Sequence, residues 1–182
     1  MNGFDLLFSL LSLLLGLAMA EILGDLGRVI DRRSNLTIGW LTPLLALLVL
    51  LDLGSFWQSA YEYRKVLVAN DLTVLGVLAF ASAYYLVATL VVPEDLEGVR
   101  DLNEHYWRNR RIVVGGLIML NLPNIPLTIV VGADRVTWGI VAAFYTVLVA
   151  LLVATGKLAN LILLTLIISF YWAIPLYFFI AG

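Results

Sequence analysis

Long apolar runs separated by short polar connections dominate the chain. Each run is about 19–23 residues long, and a helix of that length matches a hydrocarbon core about 30 Å thick. The runs are rich in Leu and Ala and lack the alternation of a barrel strand. The pattern predicts an all-α, polytopic transmembrane bundle of about six spanning helices. It forms one domain over residues 1–182, with spans at about 4–23, 40–61, 72–92, 112–131, 136–154 and 158–180.

The stretch from Pro93 to Arg111 interrupts this series of short connections. Proline followed by Glu94 and Asp95 favours the start of a helix, and Leu96 and Val99 then recur at near-helical spacing among charged residues. The pattern predicts a short cytoplasmic amphipathic helix over about 94–107. Its aromatic and basic residues would anchor it among lipid headgroups.

Asp52 interrupts the second apolar run near its middle. An ionisable group at this depth costs roughly 2.5–3.5 kcal/mol on insertion scales. Ser55, Ser59 and Glu62 follow within an arc of roughly 80° on the same helix face. Because no Lys or Arg is expected at this depth, the carboxyl must be protonated, bind a cation or face water. The pattern indicates an ion or proton path, and the alternative is a neutral acid that hydrogen-bonds a neighbouring helix.

The fourth apolar run contains two prolines, Pro123 and Pro126. Each removes a backbone donor and clashes with the preceding turn, which predicts a kinked or broken helix. Asn121, Asn124 and Thr128 share one face at this point. They would supply polar contacts to a path, as broken helices do in transporters, or would cap the groups freed by an ordinary proline kink.

Acidic and basic residues meet at the end of the first apolar run. Glu21 and Asp25 lie close to Arg28 and Arg32 along the helix. They predict either an interfacial salt-bridge cluster or a cytoplasmic entry for protons.

Weaker polar and small-residue patterns mark the other helices. Polar residues on the third and sixth runs could complete a hydrated interior, while small residues at intervals of four suit close helix packing or a homo-oligomer interface. The polar residues are Ser82, Tyr85, Thr89, Thr165, Ser169 and Trp172, and the small-residue stripes are Gly16, Ala20, Gly24 and Ala142, Thr146, Ala150, Ala154.

Composition narrows the function classes. The chain is 62% hydrophobic and 13% charged, against about 25% charged in ordinary soluble domains. Its net charge of −2 provides no basic surface for nucleic acid. With no cysteine and one histidine, His105, we expect no metal centre and no cofactor.

The basic residues also predict an orientation. Eight of the 11 lie in the first, third and fifth connections, which the positive-inside rule places in the cytoplasm. Both termini are then expected outside.

Four stretches resemble an uncharacterised family of bacterial six-helix inner-membrane proteins. They are Phe4-Asp5-Leu6-Leu7-Phe8-Ser9, Gly16-Leu17-Ala18-Met19-Ala20-Glu21, Gly39-Trp40-Leu41 and Tyr106-Trp107-Arg108-Asn109-Arg110-Arg111. The resemblance covers most of the chain. It implies a bacterial inner-membrane protein with six helices and implies no site residues.

Two functional hypotheses follow. The first is a non-enzymatic channel or transporter for a proton, a cation or a small solute. Its path would comprise Asp52, Ser55, Ser59, Glu62, Asn121 and Asn124, with cytoplasmic entry at Glu21 and Asp25. The second is an accessory or scaffold subunit of a larger membrane complex. An intramembrane enzyme fits least, because Asp52 and Glu62 lie about 15 Å apart along one helix, too far for a carboxylate dyad.

Overall fold

Seven α-helices make up the described part of the chain. The computed structural model describes residues 3–34, 36–62, 70–130 and 132–181, and it contains no strand within those ranges. The all-α prediction is confirmed. The helices are α1 (Gly3–Asp31), α2 (Leu41–Glu62), α3 (Asp71–Thr89), α4 (Leu102–Asn121), α5 (Asn124–Val130), α6 (Arg135–Val153) and α7 (Lys157–Ala181).

Most of these helices are long and apolar enough to cross a membrane. Five helical stretches meet that description, in α1, α2, α3, α6 and the combined stretch of α4 and α5. In α7 the described apolar stretch, Lys157–Ala173, is shorter than these five. The protein is therefore an all-helical bundle with at least five helices suited to a bilayer.

The first helix continues past the predicted end of its span. α1 has 29 residues and is about 43 Å long, which exceeds a hydrocarbon core about 30 Å thick. Glu21, Asp25 and Arg28 consequently belong to the same helix as the apolar run. Its last turns extend beyond the apolar layer, where charged side chains are tolerated.

The predicted amphipathic helix over 94–107 is wrong as a separate element. Residues 93–100 are irregular, with Gly98 at a φ of 78°, and α4 begins only at Leu102. Asp95 accepts a hydrogen bond from the Glu97 backbone at 2.7 Å, forming a turn that competes with a helix. Asp101 caps α4 by accepting from the Asn103 backbone N–H at 2.8 Å. The aromatic residues predicted at the headgroups therefore lie in the first turns of α4, and Tyr106 is buried.

Tertiary contacts explain the irregular conformation. Thr37, in the connection between α1 and α2, pairs with the end of this segment: its N–H donates to the Arg100 carbonyl at 2.9 Å, and its carbonyl accepts from Leu102 N–H at 3.0 Å. Gly39 has a φ of 64°, and a Cβ there would stand 2.5 Å from the Asn103 side chain, so only glycine fits. Two connections are thus fastened to each other at one end of the bundle.

The second helix is the centre of the bundle. α2 contacts α1, α3, α4 and α7. Most of its side chains between residues 41 and 53 are buried, including Leu45, Leu48, Val49 and Leu53, while Leu47 is exposed. A polar residue placed midway along α2 is therefore surrounded by protein on several sides.

Two ends of the bundle can be named from its connections. The arginine-rich end comprises the α1–α2, α3–α4 and α6–α7 connections, at residues 32–40, 90–101 and 154–156. The far end comprises Asn70, at the start of α3, and residues 132–134 before α6. Each spanning helix runs between these two ends.

Candidate functional site

Asp52 lies at the centre of the bundle and makes hydrogen bonds to three other helices. It is about 16 Å along α2 from its first residue, and its side chain is 1% exposed. The Tyr84 hydroxyl of α3 donates to Oδ2 at 2.7 Å, and the Tyr171 hydroxyl of α7 donates to Oδ1 at 2.6 Å. The Asn121 amide of α4 donates to Oδ1 at 2.9 Å and lies 3.2 Å from Oδ2.

These contacts fill the acceptor positions of the carboxyl group with neutral donors. A carboxylate offers about four lone-pair positions, and each Asp52 oxygen has two hydrogen-bond contacts. The donors are two phenols and one amide, and among the described residues no cationic side chain hydrogen-bonds the group. The protein thus replaces the hydration of a buried acid with fixed dipoles, as a buried polar group requires.

The break in the fourth apolar run positions Asn121. α4 ends at this residue, and α5 begins at Asn124, after Leu122 and Pro123. The sequence prediction of a broken helix at the prolines is thereby confirmed. The Asn121 amide also donates to the Leu117 carbonyl at 3.0 Å, which fixes the side chain in its direction toward α2.

Polar contacts continue from Asn121 into the short helix α5. The Asn124 amide donates to Asn121 Oδ1 at 3.2 Å. The Thr128 hydroxyl donates to the Asn124 carbonyl at 2.7 Å, and Thr128 is 7% exposed. Connected polar side chains therefore run from Asp52 through Asn121 to Asn124, and Thr128 adds a further polar group one turn closer to the far end.

The predicted serines do not bind the Asp52 carboxyl group directly. Ser55 donates to the Asp52 backbone carbonyl at 2.9 Å, and its hydroxyl lies beside that of Tyr171. Ser59 is half-buried one turn further along α2. Glu62 is the last residue of α2, and its side chain lies outside the described residues. Of the predicted path residues, the structure joins Asp52 to Asn121 and, through it, to Asn124.

Sequence reasoning missed the two tyrosines that bind Asp52. It selected Tyr85 on the third run, but Tyr85 is 38% exposed whereas Tyr84 is fully buried. Ala81 and Ala88 flank Tyr84 on the same face and are also buried. Small residues three and four positions away, which let a neighbouring helix approach closely, are the signal that could have identified Tyr84. On α7, Ser169 donates to the Thr165 carbonyl of its own helix at 2.8 Å.

A third tyrosine hydroxyl lies near the site and has no hydrogen-bond partner among the described residues. It belongs to Tyr145 on α6, and its oxygen is buried. The adjacent Phe144 ring lies 6.0 Å from the Tyr171 ring, which places this turn of α6 beside the Asp52 site. Tyr145 therefore differs from Tyr84 and Tyr171, whose hydroxyls are both satisfied.

The acidic residues of α1 form a separate group. Asp25 is 1% exposed and accepts a hydrogen bond from Arg28, one turn later, in an ion pair. Glu21 is half-buried. This arrangement fits the salt-bridge interpretation of the sequence, and within the described residues no hydrogen bond connects either acid to Asp52.

A second buried polar cluster lies toward the arginine-rich end. Arg110 of α4 is 3% exposed and donates to the Leu151 carbonyl at 2.5 Å and to Asn160 Oδ1 at 2.9 Å. The Tyr106 hydroxyl donates to the same Asn160 oxygen at 2.7 Å. The Asn160 amide donates to the carbonyls of Ala154 and Gly156. The cluster fastens α4 to the turn between α6 and α7.

The described residues contain no group of three or more His, Cys, Asp or Glu side chains suited to hold a metal ion. Comparison of the chain with protein-family models, curated proteins and solved structures finds no match. The resemblance to bacterial inner-membrane proteins therefore stays a prediction, and the functional argument rests on the Asp52 site itself.

Proposed function

We propose that this protein is a non-enzymatic, multispanning membrane protein that moves protons through its helix bundle, with Asp52 as the proton-binding group. The supporting observation is a buried carboxyl group whose hydrogen bonds to the described residues all come from neutral donors. Channels and transporters use intramembrane acids of this kind to bind and pass protons.

The sequence predicts a path for a proton, a cation or a small solute, and the geometry of the site favours the proton. A metal cation needs several oxygen ligands with free lone pairs, and those of Asp52 are already engaged. A proton needs only one oxygen. Tyrosine hydroxyls both donate and accept, so Tyr84 and Tyr171 can turn to accept from a protonated Asp52. The site can thus hold the acid in either form without moving a helix.

The remaining residues take supporting roles in this proposal. Asn121, Tyr84 and Tyr171 position the carboxyl group. Ser55, Ser59, Glu62 and Asn124 extend the polar path from it, as the sequence predicts. Glu21 and Asp25 serve as interfacial charges near the arginine-rich end.

We place the protein in the bacterial inner membrane with the arginine-rich end in the cytoplasm and both termini outside. The supporting observation is the concentration of arginines in the connections at that end and in the helix turns next to them. The lipid bilayer is its solvent, and no cofactor or nucleic acid enters the proposal.

Proton uptake by reconstituted vesicles tests the proposal. A potassium gradient with valinomycin sets the membrane potential, and a trapped pH-sensitive dye reports proton entry. We expect Asp52→Asn to abolish uptake, since the amide keeps the shape of the side chain but cannot exchange a proton. Replacing sodium outside by choline should leave uptake by the unchanged protein intact, which separates proton movement from cation movement.

Asp134→Asn is the matched control. Asp134 is exposed and caps α6 by accepting from the Thr137 hydroxyl and backbone. These hydrogen bonds hold the pKa of its carboxyl below the usual range. Asparagine caps a helix equally well, so this variant removes a surface carboxylate without losing the cap. Unchanged uptake in a folded Asp52→Asn variant would contradict the proposal.

A second candidate function, a subunit of a larger membrane complex, is favoured by one face of α1. Gly16, Ala20 and Gly24 are all exposed, and a Cβ added at Gly16 would meet no atom within 4 Å. The stripe therefore packs against no described part of the chain, and its small residues would allow another helix to approach closely. Weighing the intact complex after gentle solubilisation tests this candidate: a stoichiometric second protein supports it, and a monomer contradicts it.

A further inference from the structure

The surroundings of Asp52 differ sharply between its two sides. Toward the arginine-rich end, the inward-facing residues of α2 and α4 next to Asp52 and Asn121 are apolar and buried, among them Ala46, Val49, Val114 and Leu117. Leu148 of α6 is also fully buried. Packed aliphatic side chains leave little room for water and give a proton no hydrogen-bond partner.

Helix geometry shows that this apolar layer is thick. Arg110, in the second polar cluster, and Asn121, at the Asp52 site, lie on the same face of α4. Three turns of helix separate them, a rise of about 16 Å. The buried positions between them on α4 are all apolar: Val113, Val114, Leu117 and Leu120.

Toward the far end the surroundings are more polar. Side-chain hydrogen bonds join Asp52 to Asn121 and Asn121 to Asn124, and the buried Thr128 lies one turn further along α5, where its hydroxyl donates to the Asn124 backbone carbonyl. Ser55 and Asn124 are only half-buried. Each of these groups can bind a water molecule that enters from that end.

From this asymmetry we infer that, in the conformation described, protons reach Asp52 only from the far end, along a path of Asn121, Asn124 and Thr128. The aliphatic layer around Val114 and Leu117 closes the arginine-rich side. The predicted cytoplasmic entry at Glu21 and Asp25 has no part in this path. The inference rests on the proposed proton-binding function of Asp52, although the accessibility it describes can be measured by itself.

The absence of cysteine from the chain allows a direct test. Single cysteines are introduced and exposed to the membrane-impermeant reagent methanethiosulfonate ethyltrimethylammonium, in spheroplasts and in inverted membrane vesicles. Mass spectrometry of the intact protein reports labelling. Arg135→Cys and Thr155→Cys, at exposed positions of the far and arginine-rich ends, identify which end each preparation presents.

We expect Thr128→Cys to react in the same preparation as Arg135→Cys, and Val114→Cys to stay unlabelled in both. Labelling of Val114→Cys together with Thr155→Cys would overturn the inference, as would protection of Thr128→Cys wherever Arg135→Cys reacts. Ser55→Cys, a nearly isosteric change, replaces Thr128→Cys if that variant elutes as an aggregate.

The two proposals fail separately. Loss of the expected labelling pattern, with proton uptake still dependent on Asp52, would reject the one-sided path and keep the proton function. The expected pattern with uptake unaffected by Asp52→Asn would keep the far-end path as a water-accessible cleft and reject the proton function.

Discussion

The hydrogen bonds of Asp52 are the means by which a single acid is accommodated inside an apolar bundle. Interhelical hydrogen bonds in membranes contribute about 0.6 kcal/mol on average and up to about 2 kcal/mol each. Donors from three helices act on the Asp52 carboxyl group. Their combined effect offsets much of the cost of removing the acid from water, and it also fixes how α2, α3, α4 and α7 meet.

Substitutions of the three tyrosines near Asp52 test whether hydrogen bonds offset the cost of burying this acid. We expect Tyr84→Phe and Tyr171→Phe each to lower stability by about 0.5–2 kcal/mol, because each removes a donor from the buried acid. The Tyr84 ring itself packs against Phe56 and Phe80, with centroids 5.5 and 5.2 Å away, and phenylalanine keeps that contact. Thermal unfolding in detergent micelles measures the change.

Tyr145→Phe is the matched control for both substitutions. Its hydroxyl is buried without a partner, and burying such a group costs about 1–3 kcal/mol. Removing the hydroxyl should therefore leave stability unchanged or increase it. A loss as large as that of Tyr84→Phe would mean that Tyr145 also supports the Asp52 site.

At the scale of elements, α4 links the two polar clusters of the bundle. One of its ends holds Arg110 against the turn between α6 and α7, and the other holds Asn121 against α2. Since the two residues share one face, a rotation of α4 would disturb both clusters together. The position of α4 is thus set by polar contacts at its ends and by apolar packing between them.

Asn160 should be the residue that keeps the α6–α7 turn on α4. It accepts from Tyr106 and Arg110 and donates to two carbonyls of the turn. We expect Asn160→Leu to cost several kcal/mol, because it leaves the buried guanidinium of Arg110 with fewer acceptors. Asn160→Asp keeps the acceptor and should cost less. If the two variants have equal unfolding temperatures in micelles, Arg110 does not depend on Asn160.

Element prediction from the sequence succeeded where local chemistry decides the outcome. The apolar runs became helices because a bilayer allows few other structures, and Pro123 broke the fourth run because it lacks a donor. The segment over 94–101 failed because its backbone pairs with Thr37. That pairing joins residues more than sixty positions apart, and no local pattern encodes it.

At the scale of the whole molecule, the sequence could not show which side of each helix faces inward. In a soluble helix the apolar face marks the core, but in a membrane both the lipid-facing and the protein-facing sides are apolar. The sequence favours Tyr85 because it shares a face of the helix with Ser82 and Thr89, but the residue that the structure buries is Tyr84. Asp52 and Asn121 could be selected because their side chains are too polar for lipid.

The exposed small-residue stripe of α1 predicts a contact with a helix of another chain. We expect Gly16→Leu to dissociate any complex that uses this face, because the larger side chain prevents close approach of a second helix. The mass of the solubilised protein should then fall to that of the 20.1 kDa chain with its bound detergent. A Cβ at Gly16 meets nothing within the chain, so the fold should survive the substitution.

Gly76→Leu is the control that separates assembly from a general effect of a larger side chain. Gly76 lies on α3, is exposed, and likewise has no atom within 4 Å of an added Cβ, but Leu72 and Phe80 occupy the positions four residues away. It belongs to no small-residue stripe and should leave the mass unchanged. A mass unaffected by Gly16→Leu would mean that this face of α1 contacts lipid.

Asp52 would then act within a bundle that does not need the α1 face for assembly. Proton uptake by the Gly16→Leu variant should in that case match that of the unchanged protein.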